Sequence, residues 1–211
     1  MMTYGNITNN RPLNRVFKLH PYVYWDGVFD DSELQKLKTF LENSEPLKKA
    51  EVLNEEQYGS HRKSKVAFHN FNADTEWIFL KFNSIIEHVN RQFFNFDLNG
   101  YDIFQYGEYH ASENGKYDYH TDSNFGDIKW DDLSLVEPRK LSLTMLLNEP
   151  NKDFTGGEFS FNVGREDNPL YVELKEGRII LFPSFLLHRV HEVKSGIRKS
   201  LVIWVTGPKF K

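Results

Sequence analysis

Cysteine is absent from this 211-residue chain. The absence excludes disulfide frameworks, thiolate metal sites and cysteine nucleophiles, so any bound metal ion must be held by histidine and carboxylate side chains. Long apolar runs are also missing, and the first residues are polar, so neither a signal peptide nor a membrane span is predicted. We therefore expect a cytoplasmic protein that has no membrane partner.

An excess of positive charge is missing as well, because the formal net charge is −4 at pH 7. The overall electrostatic field therefore does not attract the nucleic-acid backbone, and nucleic acid is disfavoured as a partner. Aromatic residues, in contrast, make up 15% of the chain, which is typical of a protein that folds around an apolar core. The sequence does not predict an oligomeric state.

The patterning of polar and apolar residues suggests how the chain is organised. Residues 1–15, which are rich in asparagine, are expected to form a flexible tail, and residues 16–211 a single domain. Within that domain we expect helical support over about residues 30–95 and a β core over about residues 100–208.

Two segments have the periodicity of amphipathic helices. Asp30 is a candidate N-cap, and leucines then recur at i, i+3 and i+7 from Leu34. A second apolar face runs from about Thr75 to Phe93. From Tyr101 onward, short alternating runs are separated by Gly, Asn, Asp and Pro. Six or more such strands predict a mainly β fold, a sandwich or a barrel, with flanking helices.

A candidate pair of metal ligands is found in His120-Thr121-Asp122. Residues two apart in a strand project to the same face, so this imidazole and this carboxylate can reach one ion from one side. Pairs of this kind also occur by chance as hydrogen-bonded surface residues. The pair alone therefore does not establish a metal site.

His188 strengthens the prediction because it lies inside the apolar run Phe182–Val190, where a lone histidine needs a polar partner. A metal ion would be such a partner. Two histidines and one carboxylate on one side of an ion form the facial triad of non-haem iron(II) oxygenases. His191 is expected on the opposite face of the strand, and His110 lies in a turn-rich segment, so neither is expected to be a ligand.

Arg198 and Ser200 form a third motif, because they are two residues apart at the start of the last strand. A guanidinium group beside a hydroxyl group is a good receptor for a buried carboxylate, since the pairing is charge-assisted and bidentate. A dicarboxylate co-substrate would fit this pair. An ordinary exposed arginine at the start of a strand is the alternative.

The order of these motifs resembles a known family. His120-x-Asp122, His188 and Arg198-x-Ser200, with Thr155-Gly156-Gly157-Glu158-Phe159 between them, look like the 2-oxoglutarate/Fe(II) oxygenases of the prolyl 4-hydroxylase-like, PKHD-type branch. Arg62-Lys63-Ser64-Lys65-Val66 resembles a strand near the start of those enzymes. The resemblance covers roughly residues 23–208 and implies a double-stranded β-helix, or jelly-roll, barrel.

The resemblance also implies an activity and further site residues. His120, Asp122 and His188 would be both the iron(II) ligands and the catalytic residues, with 2-oxoglutarate and O2 as co-substrates, ascorbate as an optional reductant, and succinate and CO2 as co-products. Tyr106 and Thr144 would contact 2-oxoglutarate. Which of Tyr106, Tyr109 and Tyr117 contacts it is left open, because a segment is inserted before His120.

The substrate implied by the resemblance is a peptidyl proline, so the expected partner is a peptide or protein. Tyr117 would line the substrate side, and Trp130, in the long loop of residues 123–139, would pack on the proline ring. Acidic residues of that loop would select basic neighbours. The alternatives are an oxygenase acting on a free amino acid, another small molecule or nucleic acid, a zinc hydrolase or cupin-like barrel, and a binding module without activity.

Overall fold

The computed structural model describes residues 21–50, 61–123, 137–164 and 167–208. The expected flexible tail at residues 1–15 and the candidate substrate residue Trp130 lie outside the described residues. Within these ranges, no helix is long and apolar enough to cross a membrane.

Both predicted helices are present. Helix α1, Asp31–Ser44, begins with a capping box. In this box the Asp30 carboxylate accepts a hydrogen bond from the Glu33 backbone at 2.8 Å, and the Glu33 carboxylate accepts one from the Asp30 backbone at 3.1 Å. Helix α2 spans Glu76–Val89 and continues into a π-helical turn at Asn90–Phe94. The apolar faces of both helices are buried in one core cluster.

The fold is mainly β, as expected, and the described residues contain thirteen strands. In chain order they are β1 Val23–Trp25, β2 Lys48–Lys49, β3 Arg62–Lys63, β4 Lys65–His69, β5 Gly100–His110, β6 Lys116–His120, β7 Arg139–Leu146, β8 Phe154–Gly156, β9 Phe159–Phe161, β10 Leu170–Val172, β11 Ile179–Pro183, β12 His188–Val190 and β13 Val193–Thr206.

The strands form two antiparallel sheets. The large sheet has the order β1-β11-β7-β13-β5-β4-β2, with β8 paired to β13, and the small sheet has the order β10-β9-β12-β6-β3. One face of the large sheet packs on the helices, and residues of its other face share a second apolar cluster with the small sheet. This layered arrangement is consistent with the predicted double-stranded β-helix.

The two sheets of this fold are not closed into a continuous barrel. Among the described strands, no ladder of hydrogen bonds joins the two sheets along their edges. They are held together by side chains, as Phe159 and Phe161 of the small sheet pack on Phe182 of the large sheet. The result is an open sandwich with a cavity between its layers.

Candidate metal centre and co-substrate cavity

Strand pairing brings the two candidate histidine ligands together. In the antiparallel pair β6–β12, His188 lies directly opposite His120. Asp122 follows β6 by two residues, and its backbone N–H donates to the Ser184 carbonyl at 2.8 Å, which fixes this segment against the end of β11. One ligand atom from each of the three side chains lies within 4.8 Å of the others. The structure therefore places the predicted triad at one point.

Backbone carbonyl groups set the orientation of both imidazole rings. His120 Nδ1 donates to the Asp118 carbonyl and His188 Nδ1 to the Leu186 carbonyl, each at 2.8 Å. A carbonyl oxygen only accepts, so each Nδ1 carries a proton, and each Nε2 atom lies toward Asp122. Burial and the neighbouring His188 hold the pKa of His120 well below its usual range, which keeps this ligand neutral.

The carboxylate of Asp122 fits a cation. Its Oδ2 atom is buried and has no hydrogen-bond partner among the described residues. The distances from Asp122 to the two histidine Nε2 atoms, 3.7 Å and 3.6 Å, are too long for hydrogen bonds but suit ligands that share one ion. A buried, unpartnered carboxylate is costly, and a divalent ion would offset that cost. The donor set of two imidazoles and one carboxylate therefore fits iron(II).

The other two histidines considered have different partners. His191 Nε2 lies 2.8 Å from the Ser160 hydroxyl oxygen, and His110 pairs with Glu108 at 2.8 Å. Neither belongs to the candidate metal cluster that the described residues form. They do not reach the triad.

A cavity of about 520 Å³ opens in front of the triad, between the two sheets. This volume lies within the usual range for small-molecule sites. Its walls carry side chains from both sheets. Besides the triad, they include His61, Arg62, Phe68, Gln105, Tyr109, Tyr117, Thr144, Phe159, Arg198, Ser200 and Trp204.

Arg198 forms the wall of this cavity on β13. Its side chain is buried, and its Nε donates to the Gly157 carbonyl at 3.1 Å. Its Nη1 has no hydrogen-bond partner in the described parts of the chain, and burial lowers the pKa of the guanidinium group. A buried cation with an unused donor fits a carboxylate, as expected for the far end of 2-oxoglutarate. Ser200 and Thr144 line the same cavity.

Gly157, the second glycine of the motif Thr155–Phe159, packs against the Arg198 side chain. Its φ of +64° is rarely adopted by other residues, and a Cβ atom there would lie 2.9 Å from Cδ of Arg198. The glycine therefore leaves room for the arginine side chain while its carbonyl accepts the arginine Nε proton. The sequence motif and the carboxylate receptor belong to one arrangement.

Tyr106 is not among the residues that line the cavity. Its side chain lies on the helix-facing side of the large sheet, buried in the core, and its hydroxyl donates to Glu108 at 2.7 Å. Burial and this carboxylate raise the pKa of Tyr106, so the phenol stays protonated. The strand alternates, so the cavity receives the odd-numbered residues Gln105 and Tyr109 instead. The Tyr109 ring lies 5.5 Å from the Arg198 guanidinium carbon.

Tyr117 lines the cavity, and its ring packs against other side chains of the protein. Its ring is stacked on His120, with centroids 3.4 Å apart and planes 12° from parallel. The Arg62 guanidinium lies over the ring at 4.5 Å, and the His61 ring meets it edge-on. Tyr117 thus contacts a candidate metal ligand directly. The role predicted for it, contact with substrate, stays a prediction.

Several cavity residues were not predicted from the sequence. Gln105 and Trp204 had no visible motif, although the alternation from Arg198 and Ser200 continues through Val202 to Trp204. Continuing the two-residue alternation of β13 from Ser200 to Trp204 predicts that Trp204 faces the same side. Arg62, noted only for its resemblance to a strand of the family, donates to Ser64 Oγ at 2.8 Å and Gln105 Oε1 at 3.1 Å. The contact with Gln105 joins residues 43 positions apart, so no local pattern predicts it.

The chain combines an open two-sheet fold with one cavity that is lined by a His-Asp-His cluster and a buried arginine. In comparison with known families, residues 104–206 match the model of the 2OG-Fe(II) oxygenase superfamily. The matched segment contains the triad and Arg198. The predicted resemblance to 2-oxoglutarate/Fe(II) oxygenases is thus confirmed, with iron(II) and 2-oxoglutarate as the cofactor and co-substrate of the family.

Similar proteins point to the PKHD-type branch. The chain is 43% identical over 65 residues to a PKHD-type hydroxylase of Psychrobacter sp. (strain PRwf-1), covering 31% of this chain and 24% of that protein. It is 36% identical over 95 residues to a PKHD-type hydroxylase of Synechococcus sp. (strain CC9311), covering 45% of this chain and 38% of that protein. The matches therefore span well under half of each relative.

Solved structures share the fold. A prolyl-4-hydroxylase of Pseudomonas putida has a TM-score of 0.67 at 17% identity, covering 90% of this chain and 94% of that one. A prolyl hydroxylase from Trichoplax adhaerens, in complex with a hypoxia inducible factor peptide fragment, has a TM-score of 0.69 at 17% identity, covering 88% and 83%.

Proposed function

We propose that this chain is an iron(II)- and 2-oxoglutarate-dependent oxygenase that hydroxylates its substrate and releases succinate and CO2. The observation that carries the proposal is one cavity with two complementary walls. One wall holds two imidazoles and a buried carboxylate whose Oδ2 atom has no hydrogen-bond partner among the described residues, and the other holds a buried guanidinium with an unused donor. A metal ion and a carboxylate-bearing co-substrate would satisfy both at once.

Each residue has a distinct role in this proposal. His120, Asp122 and His188 would hold the iron, and the backbone carbonyls behind the two histidines orient the rings so that their Nε2 atoms lie toward Asp122. Arg198 binds the far carboxylate of 2-oxoglutarate, with Ser200 and Thr144 beside it. Bound iron supplies the activation of O2. The protein orients the substrate and excludes water between its two sheets.

The substrate in this proposal is a peptidyl proline, carried by a peptide or protein. The PKHD-type relatives are named as hydroxylases, and the two solved structures similar in fold are prolyl hydroxylases, one of them bound to a peptide fragment. A free amino acid or another small molecule remains the alternative, since a cavity of about 520 Å³ also suits a small ligand. The cytoplasmic location expected from the sequence stays a prediction.

The test is to incubate the iron-loaded protein with 2-oxoglutarate and proline-containing peptides, and to measure succinate together with peptide mass. We expect succinate release coupled to a gain of one oxygen atom in the peptide. An Asp122→Ala variant serves as the matched control, because it removes the unpartnered carboxylate of the metal site. Turnover of free amino acids or oligonucleotides alone would contradict the prolyl substrate and leave the oxygenase activity standing.

The other class of function, a zinc hydrolase or cupin-like protein, predicts a different result. Such a protein would use the same triad but would have no need of a buried cation for a dicarboxylate. Binding of 2-oxoglutarate to the metal-loaded protein separates the two classes. Absence of 2-oxoglutarate binding, with activity supported by zinc, would favour the hydrolase.

A further inference from the structure

A second depression adjoins the cavity of the candidate metal centre. Its volume is about 370 Å³, and it shares Arg62 and Phe68 with the larger cavity. We call it the flanking groove and define it by Glu45, Lys48, Lys49, Arg62 and Phe68. Arg62 and Phe68 therefore lie at the boundary between the two spaces, so a bound peptide that contacts Phe68 could extend into both.

The flanking groove carries excess positive charge. Lys48 and Lys49 are exposed on β2, the edge strand of the large sheet. In the part of the chain that the structure describes, neither lysine forms an ion pair. Glu45 is the one acidic side chain among the described residues of the groove. The groove therefore attracts negative charge although the whole chain is acidic.

Arg62 adds a fixed positive charge at the boundary with the larger cavity. It is 9% exposed, and among the described residues it donates hydrogen bonds to the neutral acceptors Ser64 Oγ and Gln105 Oε1. The Tyr117 ring covers one side of the guanidinium group. No carboxylate among the described residues neutralises it. A nearly buried guanidinium group without a counter-charge favours an acidic ligand.

Phe68 supplies an apolar contact between the two spaces. Its side chain is 48% exposed, which is unusual for a phenylalanine that lines a cavity. An exposed ring flanked by cations suits a peptide that presents an apolar side chain next to an acidic one. Backbone phosphates of a nucleic acid would meet the same cations, but an isolated ring without a second stacking partner offers a poor path for successive bases.

From these contacts we propose that the flanking groove binds the segment of a polypeptide substrate next to the residue at the metal, and that it selects an acidic side chain there. The proposal rests on the proposed function. It differs from the sequence-based expectation that an acidic loop selects basic neighbours. The described cations favour the opposite charge.

The experiment uses the full chain loaded with iron(II) and 2-oxoglutarate. Proline peptides carry glutamate, glutamine or lysine at each flanking position in turn, and both turnover and binding by fluorescence anisotropy are measured. Glutamate peptides should have the lowest KM. Lys48→Gln/Lys49→Gln should raise that KM about two- to tenfold, as expected for the loss of two exposed charge contacts, with kcat unchanged.

Two further variants sharpen the test. Lys152→Gln/Lys194→Gln removes the same charge elsewhere on the surface and should leave the KM unchanged. Lys48→Glu/Lys49→Glu should reverse the preference towards lysine peptides. Release of succinate without peptide should be the same in all of these variants, because none touches the triad or Arg198.

The outcomes separate this proposal from the proposed function. Three outcomes would contradict peptide selection by the flanking groove but not the hydroxylase activity. They are hydroxylation without a preference for acidic peptides, hydroxylation with a preference for basic peptides, and a preference for acidic peptides that Lys48→Gln/Lys49→Gln does not change. Binding of acidic peptides that depends on Lys48 and Lys49, without turnover, would support the groove and contradict the prolyl activity. If an oligonucleotide binds more strongly than any peptide, and this binding depends on Lys48 and Lys49, the groove is not a peptide-binding site.

Discussion

Replacing Arg198 with methionine should move two measurements in opposite directions. Methionine has similar length, so Arg198→Met keeps most of the packing and removes the charge. Without 2-oxoglutarate, the arginine is a buried cation whose Nε donates to the Gly157 carbonyl and whose Nη1 has no hydrogen-bond partner among the described residues. Removing it should raise the free energy of unfolding of the ligand-free protein. The same change should abolish tight binding of 2-oxoglutarate.

The magnitudes follow from the two effects separately. A buried charge costs several kcal/mol, whereas one hydrogen bond to a charged group contributes about 1.5–3 kcal/mol, so the net gain should be on the order of 1 kcal/mol. For a chain of this size, that gain raises Tm by about 2–4 °C. Leaving the co-substrate carboxylate buried and unpaired should cost about 2–5 kcal/mol, which corresponds to a roughly 30-fold to several-thousand-fold increase in Kd.

Calorimetry measures both quantities on the same samples. Thermal scans of the ligand-free protein give Tm, and titration of 2-oxoglutarate in the presence of a redox-inert divalent ion gives Kd. Lys199→Met is the matched control, because Lys199 lies on the opposite face of β13 and pairs with Glu42 at 2.6 Å near the surface. It should leave Kd unchanged. A Tm several degrees lower for Arg198→Met, together with unchanged Kd, would refute the reasoning.

Three other substitutions test the site. Gly157→Ala should weaken 2-oxoglutarate binding with little effect on metal affinity, since its Cβ would displace the Arg198 side chain; unchanged titration curves would contradict this. Tyr117→Leu should weaken metal binding about two- to tenfold, because an aromatic contact of about 0.5–1.5 kcal/mol with His120 is lost, whereas Tyr117→Phe should not; equal effects in equilibrium dialysis would count against the stacking role. Tyr106→Phe should leave the KM for 2-oxoglutarate unchanged in a succinate assay, and a large increase would restore Tyr106 as a contact.

The helices and the candidate metal site could be predicted from local patterns. The N-cap at Asp30 and the leucine periodicity after it define α1, because capping and amphipathicity depend on residues within a few positions. Arg198 and Ser200 are two residues apart in β13, so the strand period of two places them on one side. His120 ends β6 and Asp122 follows it by two residues, so their short spacing keeps the two side chains near each other.

What the sequence by itself determined were the residue types and spacings of the candidate metal centre and of the proposed carboxylate receptor. Only the tertiary structure decided that Tyr109 and not Tyr106 faces the cavity, and that the sheets stay open along their edges. It also decided that Arg62 lies where the cavity meets the flanking groove. The physical reason is that these features depend on which strands pair and which sheet face meets the helices. Such contacts join residues far apart in the chain, as in the pairing of Ala67 with Tyr106, and no local period encodes them.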